Sequence, residues 1–126
     1  MEKQISPGLK YTFLAHGIVA LAIGLIGLLI PQFWGNLMTL TMLEPEIHRL
    51  VGAALLAFAA ASWLAYRETA WERVSIVVVM EIVWTILGTL VILWGMIFAG
   101  LPSRGIINAI IFGGFAAAFS FFYFRR

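Results

Sequence analysis

The chain has 126 residues and a formal net charge of +2, with 63% hydrophobic and 11% charged residues. An ordinary soluble domain is about 45–50% apolar and about 25% charged, so there is too little polar surface here to cover a water-soluble globule. Cysteine is absent, which excludes disulfides, thiolate catalysis, iron–sulfur ligation and Cys-type zinc sites; no basic run with interleaved aromatics supports nucleic-acid binding.

Roughly 20 apolar residues cross a bilayer core, and four such runs follow one another. The pattern predicts an all-α, four-helix transmembrane bundle in a single domain. The first run covers 11–30, carries His16 and ends at Pro31, which removes a backbone donor and clashes with the preceding turn. It has the length of a full span, not of a signal-peptide core, and no small-residue cleavage site follows it, so it is expected to stay in the mature protein. Residues 31–46 place Phe33, Leu37 and Leu40 at helical spacing, with Trp34 and Met38 beside them, which predicts a short amphipathic helix lying in the membrane interface.

The second run covers 47–66 and is opened by Glu44-Pro45, with Pro at a first helical position where a missing N–H is harmless. The third covers 74–98 and carries Glu81; Thr69 and Glu72 ahead of it fit a capping box. The fourth covers 103–124, after a Gly100-Leu101-Pro102-Ser103 turn with Ser103 as the expected N-cap.

Lys3, Lys10, Arg67, Arg73, Arg125 and Arg126 collect on one side of this scheme, against Arg49 and Arg104 on the other. By the positive-inside rule both termini are expected in the cytoplasm, in a multi-pass protein of the cell membrane. Tyr11, Trp63, Tyr66, Trp71 and Tyr123 would form the inner aromatic belt, and Trp34 and Trp94 lie near the outer one.

Helices in lipid associate through close packing of small residues. The expected contact stripes are Gly17, Ala20, Gly24 and Gly27 on the first helix, and Ala53, Ala57, Ala61 and Ala65 on the second. On the third they are Glu81, Thr85, Gly88, Ile92 and Gly95, and on the fourth Ala109, Gly113, Ala117 and Ser120. So thin a core suggests a homo-oligomer or a subunit of a larger membrane assembly. The segments 59–67 and 117–125 echo each other, each ending a helix in aromatic residues and Arg. Either a two-plus-two duplication or a shared interface composition accounts for that.

Glu81 is the sharpest chemical feature. It lies about 12 Å beyond Arg73 along its helix, where a carboxylate costs on the order of 2–3 kcal/mol to insert. It shares a face with Thr85, so it is expected to point into protein. A desolvated carboxylate is what proton-coupled transport uses, and it is equally what an interhelical glue residue looks like. His16, about 9 Å into the first helix from the same side, is the candidate partner: a His–Glu pair lowers the cost of both groups and can relay protons.

A second polar cluster, Glu44, Glu46, His48, Arg49, Arg104 and Asn108, falls at the outer mouth. There Arg49–Glu44 or Arg104–Glu46 ion pairs are expected, and Glu44 with His48 supplies only two metal ligands. His16 and His48 lie near opposite surfaces, too far apart to hold one haem, and no cofactor or metal is predicted. Trp84, near mid-membrane, is read as packing. No catalytic motif is present, so an enzyme is not expected.

In size and four-helix plan the chain is similar to the small multidrug resistance transporters, which use a membrane-embedded Glu in the first helix. Here the first helix carries His16 and the deep carboxylate is Glu81 in the third, so that function is not carried over. The leading expectation is a non-catalytic packing subunit of a membrane assembly. The alternatives are a small oligomeric proton-coupled transporter or channel using Glu81, and an intramembrane lipid- or quinone-binding protein.

Overall fold

Prolines and a left-handed glycine punctuate the chain where its helices begin and end. The computed structural model describes residues 3–40 and 44–125, which form five α-helices: α1 (Pro7–Leu29), α2 (Pro31–Met38), α3 (Pro45–Arg67), α4 (Trp71–Phe98) and α5 (Gly105–Phe124). The architecture is all-α, and α1, α3, α4 and α5 are long and apolar enough to cross a membrane. Residues 41–43 of the expected interfacial segment and Arg126 of the basic cluster lie outside the described residues.

Several boundaries depart from the sequence expectation, each for a local reason. Helix α1 starts at Pro7 instead of residue 11, because Ser6 caps it by accepting the Leu9 backbone N–H at 3.2 Å. A capping side chain, not hydropathy, decides where a helix begins. The Thr69–Glu72 capping box does not form. Ala70 is the N-cap of α4 and makes no side-chain cap bond. The backbone of the N-terminal segment takes its place: Trp71 donates to the Lys3 carbonyl at 2.7 Å, and Ile5 donates to the Thr69 carbonyl at 2.9 Å. At the start of α5 the N-cap is Arg104, not Ser103, whose carbonyl accepts the Ile106 N–H at 3.1 Å. Gly100, at φ 72°, makes the turn that the α4–α5 connection needs.

Pro31 ends α1 and opens α2, with Ile30 as the shared cap residue. Helix α2 stops at Met38, followed by Thr39 in the left-handed region, so Leu40 falls outside it. The apolar face expected from Phe33 and Leu37 is exposed, while Pro31, Gly35 and Met38 turn inward.

The closest packing is between α1 and α3. A Cβ on Gly24 would sit 3.0 Å from the Gly52 carbonyl oxygen, and one on Gly52 would sit 2.5 Å from the Leu28 backbone nitrogen. The α1 glycine stripe is therefore a contact face, as expected, and the helix it meets is α3. The α3 stripe does not: Ala53 and Ala57 are exposed, and the buried face is Gly52, Ala59, Ser62 and Ala65. Alanines surround α3 almost completely, so their spacing selects no face. The positions that must be small are those where backbones touch.

Helices α4 and α5 form the second close pair, with Gly88 making room for the Phe112 ring. On α5, Ala109 is buried as expected, but Ala117 is exposed and Phe119 takes the inner position. At the end of the bundle that holds both termini, Leu9, Phe13, Val74, Val78 and Phe119 form a core closed over by Ile5 and Trp71.

Candidate functional site

Three helices each bring one polar side chain to a single buried point. His16 lies nine residues into α1 and Glu81 ten residues into α4, both about 14–15 Å from the start of their helices. Helices α1 and α4 start at the same end of the bundle, so the two side chains meet. His16 Nε2 is 3.1 Å from Glu81 Oε2, with side-chain exposures of 5% and 0%. The expected His16–Glu81 pair is present.

A third member was missed. Ser62 of α3, fully buried, lies with its Oγ 2.8 Å from His16 Nδ1 and donates to Glu81 Oε1 at 3.3 Å. It could have been found: Ser62 is the sole serine or threonine in α3, at the buried crossing with Gly17 of α1. Thr85, the other residue expected here, is buried, but its hydroxyl donates to the Glu81 backbone carbonyl at 2.6 Å and not to the carboxylate. From α5 the edges of Phe115 and Phe119 close on the imidazole, with ring centroids 5.0 and 5.6 Å away.

The three contacts form a ring with a definite proton count. Ser62 has one proton to donate, and giving it to Glu81 leaves its oxygen to accept from His16 Nδ1–H. One further proton then belongs between Nε2 and Oε2. Placed on the imidazole it makes an ion pair; placed on the carboxyl it makes two neutral groups; the ring of contacts is the same. Oε2 makes no aligned hydrogen bond, the 3.1 Å approach of His16 Nε2 included, so the Nε2–Oε2 gap is the place left for that proton. Without it, two lone pairs face each other at 3.1 Å, unless the imidazole changes tautomer and gives up its donation to Ser62.

On one side of the ring lies the closed apolar core. On the other, toward α2, a cavity of about 140 Å³ runs between α1, α3, α4 and α5. His16 and Thr85 stand at its inner end, and Trp34 of α2 and Asn108 of α5 at the other. Trp84 is part of its wall, held edge-on by Phe112 with ring centroids 5.2 Å apart.

Only Asn108 of the expected outer cluster belongs to this cavity. The expected Arg49–Glu44 and Arg104–Glu46 pairs do not form. Arg49 pairs instead with Glu46 at 3.2 Å, an exposed contact, and also donates to the Leu28 carbonyl at 2.8 Å. Arg104 donates to the Leu37 carbonyl at 2.9 Å. Both arginines thus satisfy orphan acceptors in the last turns of α1 and α2. Glu44 is exposed and His48 half-buried. Among the described residues no three metal-binding side chains come together.

No protein family, curated protein or solved structure matches this chain.

Proposed function

We propose that this chain is a small multi-pass membrane transporter, with His16, Ser62 and Glu81 as its proton site and the adjoining cavity as its solute site. The observation that carries this reading is the ring itself: three buried polar side chains from three helices, with His16 forming part of a cavity wall. A buried ionisable group in a membrane helix is expensive to keep. Here the cost is lowered by the ring, and the ring's geometry depends on one exchangeable proton.

Loss of that proton removes either the α1–α4 contact through Nε2 or, after a change of tautomer that turns the Ser62 hydroxyl to donate to Nδ1, the α3–α4 bond from Ser62 to Glu81. That gives protonation a lever on helix packing at the base of the cavity. The groups facing the pair are Ser62 from α3, Thr85 from α4 and the Phe115 and Phe119 rings from α5, so no other charge competes for the proton. Lys3, Lys10, Arg67, Arg73 and Arg125 belong to the helix ends beside the termini, which supports cytoplasmic termini.

Infrared difference spectroscopy across a pH change, on protein in lipid nanodiscs, tests the proton site. A carboxyl C=O band that appears with acidification and is missing in Glu81→Gln is expected; a Glu81 band that does not respond to pH would overturn the proposal. A second reading, a packing subunit of a homo- or hetero-oligomeric assembly, draws on the exposed Ala53–Ala57 face of α3. It expects Ala57→Leu to break a larger complex in detergent while Glu81→Gln is silent.

A further inference from the structure

We propose that the cavity beside His16 binds an uncharged, lipid-soluble molecule built on a single ring with one hydrogen-bonding group, admitted from the bilayer between α1 and α5. This rests on the membrane transporter reading above and names the class of solute that the same site would take.

Size sets the first limit. The cavity of about 140 Å³ is close to the roughly 150 Å³ of an engineered apolar cavity that binds benzene. It takes one six-membered ring, not two. Charge sets the second limit. Glu81 lies behind His16 and does not reach the wall, and among the described residues no Lys, Arg, Asp or Glu lines the cavity. An ionised solute would meet no free counter-charge, since the His16 imidazole is charged only when it is paired with Glu81, and that is costly in apolar surroundings. The walls that would hold a ring are Val19, Ile23, Leu55, Ile111 and Phe112.

Polarity sets the third limit. Asn108 faces the far end, seven residues and about 10 Å along α5 from Phe115, and none of the hydrogen bonds among the described residues uses its side-chain amide. An amide both donates and accepts, so it suits a hydroxyl or carbonyl on the ring. Thr85, at the inner end, already spends its proton on the Glu81 carbonyl.

The route follows from shared walls. Val19, Ile111 and Phe115 line the cavity on one side and, on the other, an outer groove between α1 and α5. That groove, about 460 Å³, continues past Ala15 and Gly114, where a Cβ would meet nothing within 4 Å. The alternative route is covered by Trp34 on α2, whose last turn is tied down by Arg104. A groove between α4 and α5 also shares Trp84 and Phe112 with the cavity, but those two rings pack edge-on against each other with centroids 5.2 Å apart, so the α1–α5 seam is the more easily parted.

The test is ¹⁹F NMR binding with three probes, 4-fluorophenol, fluorobenzene and 4-fluorobenzoate, on the full chain in nanodiscs, with protein-free discs as reference. Saturable binding of 4-fluorophenol, weaker binding of fluorobenzene and none of 4-fluorobenzoate are expected. Ile111→Trp, which fills the seam, should abolish saturable binding. Asn108→Leu, which keeps the branched shape and the number of heavy atoms, should weaken 4-fluorophenol about tenfold, the effect of one lost buried hydrogen bond, and leave fluorobenzene binding in place. Preferred binding of 4-fluorobenzoate, or no saturable binding of either neutral probe, overturns the proposal. So does an Asn108→Leu protein of normal helical content that treats all probes as the wild type does. The Glu81 infrared band is read on the same discs without probe: its pH response with no ring bound sinks only the solute class, whereas ring binding beside an unresponsive Glu81 sinks only the proton site.

Discussion

The half of the bundle near the termini and the half beneath α2 are made from the same four long helices, yet they are filled differently. Near the termini, Phe13, Val74, Val78 and Phe119 are fully buried in one apolar cluster. Beneath α2 the helices enclose a cavity, and Val51 and Leu55, which line it, are only partly covered. The His16–Ser62–Glu81 ring lies at the boundary. A rigid base and a hollow upper half are what a binding site needs: the ring is held in register from below, while the space above it stays free for a solute. Dispersion contacts supply the packing energy in lipid, so the filled half should carry most of the stability.

The largest test of that contrast is truncation on either side of the ring. Phe119→Ala should cost roughly 3–5 kcal/mol, the usual range for a fully buried Phe, in reversible unfolding followed by circular dichroism in mixed micelles. Leu55→Ala, at the cavity wall, should cost about 2 kcal/mol or less, because Leu55 is only partly buried and has fewer contacts to lose. Equal losses would mean that the two halves are packed alike. Gly52→Ala comes next. Its new Cβ would fall 2.5 Å from the Leu28 nitrogen and 2.8 Å from the Gly24 carbonyl oxygen, backbone atoms that no rotamer change can move. About 1–3 kcal/mol is expected from this overpacking, together with looser α1–α3 contact in cross-linking. Ser62→Ala should cost about 1–2 kcal/mol, since it leaves His16 Nδ1 buried without a partner; it should also alter the Glu81 infrared band, which Leu55→Ala should not.

How much of this was legible beforehand depended on whether one residue's chemistry was enough. Hydropathy located all four long helices, because twenty apolar residues have few other uses. Pro31 and Pro45 located their junctions, because proline's constraint is local. His16 and Glu81 could be matched by depth alone, since both count from helix starts at one end. Ser62 could not, because its depth counts from the end of α3 and its small side chain carries no cost that singles it out. The alanine spacing of α3 misled for a related reason: a helix that is small on every side has no readable face. The Thr69–Glu72 box and the Arg49 and Arg104 pairings failed because tertiary partners won. The backbone of residues 3–5 and the open carbonyls of Leu28 and Leu37 are invisible to any local motif. The cavity is a property of four helices together, so no local motif shows it.

The smallest expected effect concerns the opposite kind of glycine. Gly114 is exposed in the interior of α5, with open space where a Cβ would go. Alanine there keeps the helical backbone and restricts the unfolded chain, so Gly114→Ala should stabilise the protein by about 0.5 kcal/mol. The sign matters more than the size. Gly52 is small because another helix touches it, whereas Gly114 borders the groove between α1 and α5, where a Cβ would meet none of the described residues within 4 Å. If Gly114→Ala instead destabilises as Gly52→Ala does, something presses on the groove from outside, and the natural occupant is a neighbouring copy. That result would close the lateral route to the cavity. A stabilised Gly114→Ala protein leaves the groove open, and the contrast between the two glycines then separates a surface built for helix contact from one kept clear.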